Sequence, residues 1–231
     1  MSYKFLLFDL DHTLLDFDKA EDLALTELLQ EANVADVQSY KDYYVPMNAQ
    51  LWRDLEQNKL TKKELVSSRF ALLFSHFGQE VDGQFFANRY QDFLSQQGQT
   101  FEGARELLEE LQNQGYRLFG ATNGITYIQQ GRLSHSNLAD FFERIFISEQ
   151  AGTQKPDIAF FDWMASQIDG FEKKAVLMIG DSLTADIQGG NNAGLDTVWY
   201  NPAGKENTSS AIPTYEINSY DGLLKLLEEA L

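Results

Sequence analysis

The chain has 231 residues, with 35 Asp and Glu against 18 Lys and Arg, and a formal net charge of -17. An acidic surface of that size is repelled by phosphate backbones and anionic membranes, so neither a nucleic acid polymer nor a membrane is an expected partner. The hydrophobic fraction of 43% supplies a core for one large domain or a core domain with a smaller companion, and the absence of cysteine excludes disulfides and thiolate chemistry.

The first predicted element is a short buried strand over Tyr3 to Phe8, closed by "FDLDHT" with Asp9 and Asp11 one residue apart. The opening "MSYKFLLFDLD" holds about four consecutive apolar residues, too few for a signal peptide core, and no later run has membrane-spanning length. A cytoplasmic protein is therefore expected. Behind the two carboxylates the texture becomes helical. Leu25, Leu28, Leu29 and Ala32 recur at helical spacing, as do Phe70, Leu73, Phe74 and Phe77, then Phe86, Tyr90, Phe93 and Leu94. Thr61 and Glu64 have the spacing of a capping box, and Asp18 with Glu21 is expected to cap the first helix. This insert of about eighty residues far exceeds an ordinary connection, and long insertions at a strand's carboxyl end usually serve function.

Four more strands are expected at 116–122 ("YRLFGAT"), 144–148 ("RIFIS"), 175–181 ("AVLMIGD") and 196–200 ("DTVWY"). Helices are expected over Ala104 to Gln114, Asp157 to Ile168, Thr184 to Ala193 and Gly222 to Ala230. Strands alternating with helices predict an α/β fold, a doubly wound parallel sheet with helices on both faces. "NPAGKENTSSAIP" reads as a polar loop, and "GGNNAGL" as a helix end with a glycine cap.

In open α/β sheets ligands collect outside the carboxyl ends of the strands, so polar residues just past each run should converge. They are Asp9, Asp11 and Thr13, then Thr122, Asn123 and Gly124, then Lys155 and Pro156, then Asp181 and Asp186 of "GDSLTAD". Crowded carboxylates, with an unperturbed pKa of ~3.9, need a compensating cation, and oxygen ligands suit Mg²⁺. The candidate ligands are Asp9, Asp181, Asp186 and Asp11, the last through its main-chain carbonyl. Thr122, Lys155 and the backbone N–H groups of Asn123 and Gly124 suit a phosphoryl group. Asp9 is then the candidate nucleophile and Asp11 the candidate general acid and base of phosphoryl transfer to an aspartate. Taken singly, each motif has a plainer reading as a cap, a turn or a helix start with Pro156 in the first turn; joint occurrence in order favours the catalytic one. His12, His76 and His135 lack metal-ligand spacing, and the stripe from Phe70 to Phe77 reads as helix core.

"DLDHT", "TNG", "KP" and "GDSLTAD", in this order, resemble the four motifs of the haloacid dehalogenase superfamily in its phosphatase branch. That resemblance implies a core over 1–15 and 99–231, a small α-helical cap over 16–98 that closes over the site, and hinges near Asp16 to Asp18 and Gln97 to Thr100. It also implies the roles given above, with Asp186 reaching the metal through water or orienting Lys155. True dehalogenases lack a carboxylate where Asp11 stands, which favours phosphatase chemistry. "NAQLWRDLEQNKLTKKEL" with "RF" at 69–70, "TNGITYIQQGRL", "ISEQAG" and "KPDIAFFD" are similar to pyrimidine 5′-nucleotidases that also hydrolyse non-standard nucleotides. The implied substrate is a small-molecule phosphate monoester such as UMP, dUMP or dTMP. Asn48, Trp52 and Arg69 are the implied specificity residues, with Tyr44 a further aromatic for a pyrimidine, and the protein is expected to act as a monomer or homodimer. Alternatives are a phosphoglycolate or sugar-phosphate phosphatase, a phosphomutase, and a non-enzymatic phosphoacceptor signalling module.

Overall fold

Phe5–Phe8 form the first strand, β1, and every one of its side chains is buried. Alternation sends Leu6 and Phe8 to one face of the sheet and Phe5 and Leu7 to the other, so a strand this apolar must be covered on both sides. The structure, a computed structural model, describes residues 3–229. They form two compact units, residues up to Phe17 with those from Gly98 onward, and Asp18–Gln97.

The second unit is built from helices. They are α1 (Phe17–Glu31, whose first residue belongs to the other unit), α2 (Val37–Glu56), α3 (Lys62–His76) and α4 (Gly83–Ser95). The Thr61–Glu64 capping box is formed in both directions, with Thr61 N–H donating to Glu64 Oε2 at 2.8 Å and Glu64 N–H to Thr61 Oγ1 at 3.2 Å. Glu21 departs from its expected place as a helix cap. It is buried and accepts from Asn48 Nδ2 at 3.1 Å, because it lies a turn into α1 on the face that meets α2.

The first unit continues with α5 (Ala104–Asn113), β2 (Arg117–Thr122), α6 (Thr126–Ser136), β3 (Arg144–Ile147), the single turn α7 (Ser148–Ala151) and α8 (Ile158–Ala165). After β4 (Val176–Gly180) come a π-helical turn at Leu183–Ile187, α9 (Gln188–Ala193), β5 (Asp196–Tyr200), β6 (Tyr215–Ile217) and α10 (Tyr220–Glu229). All strand pairs are parallel and the order is β3-β2-β1-β4-β5-β6. Leu6 and Phe8 share a core with Leu107, Leu108 and Leu111 of α5 and Leu223 and Leu227 of α10. Phe5 and Leu7 share the other with Phe160, Phe161 and Met164 of α8. The doubly wound α/β sheet is therefore the observed fold.

Three details differ from the sequence reading. β6 is an unexpected sixth strand, too short at three residues for alternation to register. The helix expected over Thr184 to Ala193 begins as the π turn, since Asp186 folds back onto Ser182 rather than facing solvent. Helix α8 starts after Pro156, with Asp157 as its cap; of the last expected helix, Ala230 lies outside the described residues.

Candidate active site

Strands β2 and β3 lie on one side of β1, and β4, β5 and β6 on the other, so the order reverses between β1 and β4. A crevice forms outside the carboxyl ends at such a reversal. Asp9 leaves β1 there, its N–H bonded to Ile179 O at 2.8 Å. The chain then turns sharply: Leu14 and Leu15 both donate to Leu10 O at 2.8 Å, His12 takes a left-handed φ of 62°, and Tyr220 Oη of α10 donates to Thr13 O at 2.6 Å. Tying this loop to the C-terminal helix fixes Asp9 and Asp11 by backbone rather than by side-chain contacts alone.

Lys155 is buried with an exposure of 1% and donates to Asp9 Oδ1 at 2.7 Å, Asp186 Oδ1 at 2.6 Å and Ala121 O at 2.5 Å. All three donor positions are used. Burial alone would push the ammonium's pKa down, but Asp186 and Asp9 outweigh it and the net direction is up. Burial pushes Asp9 well above the ordinary carboxylate value; Lys155 pulls it back, while Asp186, Asp181 and Asp11 push it further up. Asp181 is raised to about 6 by burial and then by the charge of Asp186.

Asp9, Asp181 and Asp186 each offer a carboxylate oxygen within 4.8 Å of one another. One lysine cannot balance three crowded carboxylates, and an all-oxygen donor set suits a hard divalent cation. The residues present therefore fit Mg²⁺. Asp11 does not join this cluster through its carboxylate. Its Oδ1 accepts from Arg132 Nη1 and its Oδ2 from Gln129 Nε2 at 2.9 Å, both from α6.

The "TNG" turn is braced in an unforeseen way. Thr122 Oγ1 accepts from Gly124 N–H at 3.1 Å and from Gln129 Nε2 at 2.8 Å. The side chain of Asn123 faces the main chain of Lys155, donating to its carbonyl at 2.8 Å and accepting its N–H at 2.9 Å. Asn123 thus positions the lysine loop, and its side chain is committed there rather than to an anion. At the end of β4, Ser182 Oγ accepts from Ala185 N–H at 3.1 Å and Asp186 Oδ2 from Ser182 N–H at 3.0 Å. A methyl on Gly180 would overlap the Asp186 carboxylate, so glycine is required there. Trp199 Nε1 donates to Asp181 O at 2.9 Å and steadies that residue's backbone.

Asn48, Trp52 and Arg69 lie in the helical unit. Asn48 and Arg69 are buried, and the Arg69 guanidinium lies 4.9 Å from the Tyr90 ring centre and 5.3 Å from that of Phe70. Among the described residues, Arg69 Nε and Nη2 and Asn48 Oδ1 are buried without a hydrogen-bond partner. Tyr44 stacks on Phe70 at 5.3 Å. Trp52 is half-buried, with Lys62 Nζ 6.0 Å from its ring centre.

Gln129 and Arg132 were not singled out as site residues, although both stand in "TNGITYIQQGRL". Their signal is a pair of polar side chains at i and i+3, one face of the helix behind the turn. Polar helix faces usually meet solvent, so the spacing alone does not say that this face is buried.

Residues 6–200 match the family of haloacid dehalogenase-like hydrolases. The chain belongs to that family and is a hydrolase. It is 63% identical to the pyrimidine 5′-nucleotidase PynA of Streptococcus pneumoniae (strain ATCC BAA-255 / R6), covering 99% of this chain and 97% of that protein. It is 30% identical to the pyrimidine 5′-nucleotidase YjjG of Escherichia coli (strain K12), covering 98% and 99%. The crystal structure of Bacillus subtilis YfnB bound to magnesium superimposes with a TM-score of 0.93 at 43% identity, covering 98% and 99%. No helix among the described residues is long and apolar enough to cross a membrane.

Proposed function

We propose that the chain is a Mg²⁺-dependent phosphatase that hydrolyses pyrimidine nucleoside 5′-monophosphates such as UMP, dUMP and dTMP, and modified analogues, through a phosphorylated Asp9. The observation that carries this reading is the buried Lys155 bridging Asp9 and Asp186 at 2.7 and 2.6 Å. It fixes the nucleophile and puts a permanent positive charge where a phosphoryl group would arrive.

Asp9 attacks phosphorus while the P–O bond to the nucleoside oxygen breaks. The electron pair goes to that oxygen, which takes a proton from Asp11. Water then attacks the phosphorus of the acyl phosphate, gives its proton back to Asp11, and releases orthophosphate and the Asp9 carboxylate. Asp9, Asp181 and the Asp11 carbonyl would hold the Mg²⁺, while Asp186 holds Lys155. When bound, the ion supplies the charge that lets a carboxylate approach a phosphate. Thr122 and the backbone N–H of Asn123 are assigned to the phosphoryl oxygens, while the Gly124 N–H, expected to share that role, is given to Thr122 Oγ1 at 3.1 Å.

The pyrimidine preference rests on the two nucleotidases named above. We assign discrimination of the substrate beyond its phosphate to Asn48, Trp52 and Arg69, whose unit keeps a buried guanidinium with two unpaired nitrogens among the described residues. Asp11 weighs against a phosphoacceptor module, which keeps its phosphate and needs no acid beside the nucleophile. A panel of phosphate monoesters tests the reading: UMP and dTMP are expected to give the highest kcat/KM, and a preference for phosphoglycolate or hexose phosphates would overturn the nucleotidase assignment.

A further inference from the structure

Arg132 is the largest wholly buried side chain in the described chain, and Gln129, one turn earlier on the same face of α6, has an exposure of 1%. Both are aimed at the site. A single amide nitrogen, Gln129 Nε2, donates to Asp11 Oδ2 at 2.9 Å and Thr122 Oγ1 at 2.8 Å, while Arg132 Nη1 takes the other oxygen of Asp11. The opposite end of the same amide, Oε1, is buried with no donor among the described residues. Rotating the amide by half a turn would set Oε1 against a carboxylate and a hydroxyl already acting as acceptor, so Asp11 and Thr122 dictate the orientation at the expense of the carbonyl.

The stem of Gln129 is held as firmly as its head. A Cβ on Gly124 would lie 2.5 Å from Gln129 Cγ, so the glycine of the "TNG" turn makes room for this side chain. The Arg132 guanidinium lies 5.4 Å from the ring centre of Phe17, which closes its apolar side. Helix α6 is itself anchored, with Thr126 N–H donating to Glu149 Oε2 at 2.9 Å.

We infer that Gln129 and Arg132 are positioning residues that lock the Asp11 carboxylate and the Thr122 hydroxyl into one unit, so that the group moving the leaving-group proton and the group gripping the phosphate keep a fixed relation. This inference rests on the phosphatase reading given above. Loosening Asp11 should hurt most where the leaving oxygen needs a proton. A nucleoside alkoxide needs one and p-nitrophenolate does not.

The experiment compares kcat/KM, which ends at phosphorylation of Asp9, for UMP and p-nitrophenyl phosphate with saturating Mg²⁺. Gln129→Met, close in length and uncharged, is expected to lower kcat/KM for UMP by about tenfold more than for p-nitrophenyl phosphate, whose smaller loss reports the loosened Thr122. With p-nitrophenyl phosphate kcat should fall and phosphorylated enzyme should accumulate at steady state, because Asp11 also serves the hydrolytic half. Arg132→Lys, which keeps the charge, should recover part of the UMP activity lost in Arg132→Met, and thermal melts show whether each variant is folded. Equal losses on both esters in folded Gln129→Met, or no loss on either, would overturn the inference. Wild-type inactivity on both esters would remove the phosphatase reading itself, and the inference with it.

Discussion

The side-chain amide of Asn123 and the main chain of Lys155 form a closed pair, with Nδ2 donating to the lysine carbonyl at 2.8 Å and Oδ1 accepting the lysine N–H at 2.9 Å. Residues 32 apart in sequence are thereby joined at the ends of β2 and of the loop before α8. The lysine that meets Asp9 is aimed from its own backbone. Replacing Asn123 by Ala removes both bonds and leaves a part-buried donor and acceptor, so urea unfolding should show a loss of about 1–3 kcal/mol. Because Lys155 loses its aim, the KM for a phosphate ester should rise as well. A variant as stable and as active as the parent would show that this brace is idle.

Lys155→Met tests the charge balance. Asp9 and Asp186 both lose their counter-charge in a buried place, and breaking a buried pair from one side costs about 3–5 kcal/mol. The metal-free variant should unfold at lower urea by that margin, and Mg²⁺ should restore part of the loss by neutralising the same carboxylates. Unchanged stability without metal would mean that water already screens the cluster.

Much of this architecture was legible because its causes are local. Phe5 to Phe8 and Val176 to Gly180 are continuous apolar runs, which only a strand covered on both faces tolerates, and both end in Asp. Asp9 and Asp181 stand at those strand ends, Asp186 in the π turn after β4 and Lys155 in the loop before α8, and the structure brings them together because parallel strands share one carboxyl edge. Illegible from the chain alone was which side chains face inward from helices. Gln129, Arg132 and Glu21 are polar residues on helical faces, and composition assigns such residues to solvent until the packing partner is known. The role of the Asn123 side chain was hidden too, since its partner is main chain, which sequence does not display.

Acidity should separate the metal from the fold. Asp181 is raised to about 6 by burial and then by the charge of Asp186. A raised carboxylate pKa means that the folded chain holds the proton more tightly than the unfolded one. In the metal-free protein its ionisation therefore costs stability progressively as pH rises from the ordinary carboxylate value through about 6, and in full above that. The cation needs the ionised form. Melting curves should accordingly show a larger Mg²⁺-induced rise in Tm at pH about 7.5 than at pH about 5, with apparent affinity weakening about tenfold per unit below the titration. An equal rise at both pH values would place the ion elsewhere.

Arg69 bears on both stability and selectivity. The Arg69 guanidinium lies over the Tyr90 and Phe70 rings, and its charge acts on the buried Tyr44 together with that of the buried Glu21, so Arg69→Met, similar in length and apolar, should lower stability. If the guanidinium reads the nucleoside, the same variant should raise KM for UMP at least tenfold while leaving p-nitrophenyl phosphate hydrolysis within about twofold. Loss on both substrates alike would assign Arg69 to the fold rather than to specificity.

Covalent catalysis by Asp9 is the claim on which the rest stands, and trapping the phosphorylated enzyme tests it most directly. Enzyme mixed with UMP and Mg²⁺, acid-quenched and reduced with borohydride, should carry homoserine at position 9 by peptide mass spectrometry, and Asp9→Asn should show neither adduct nor turnover while still folding. Turnover that persists in Asp9→Asn, or an adduct mapped to another carboxylate, would contradict the account.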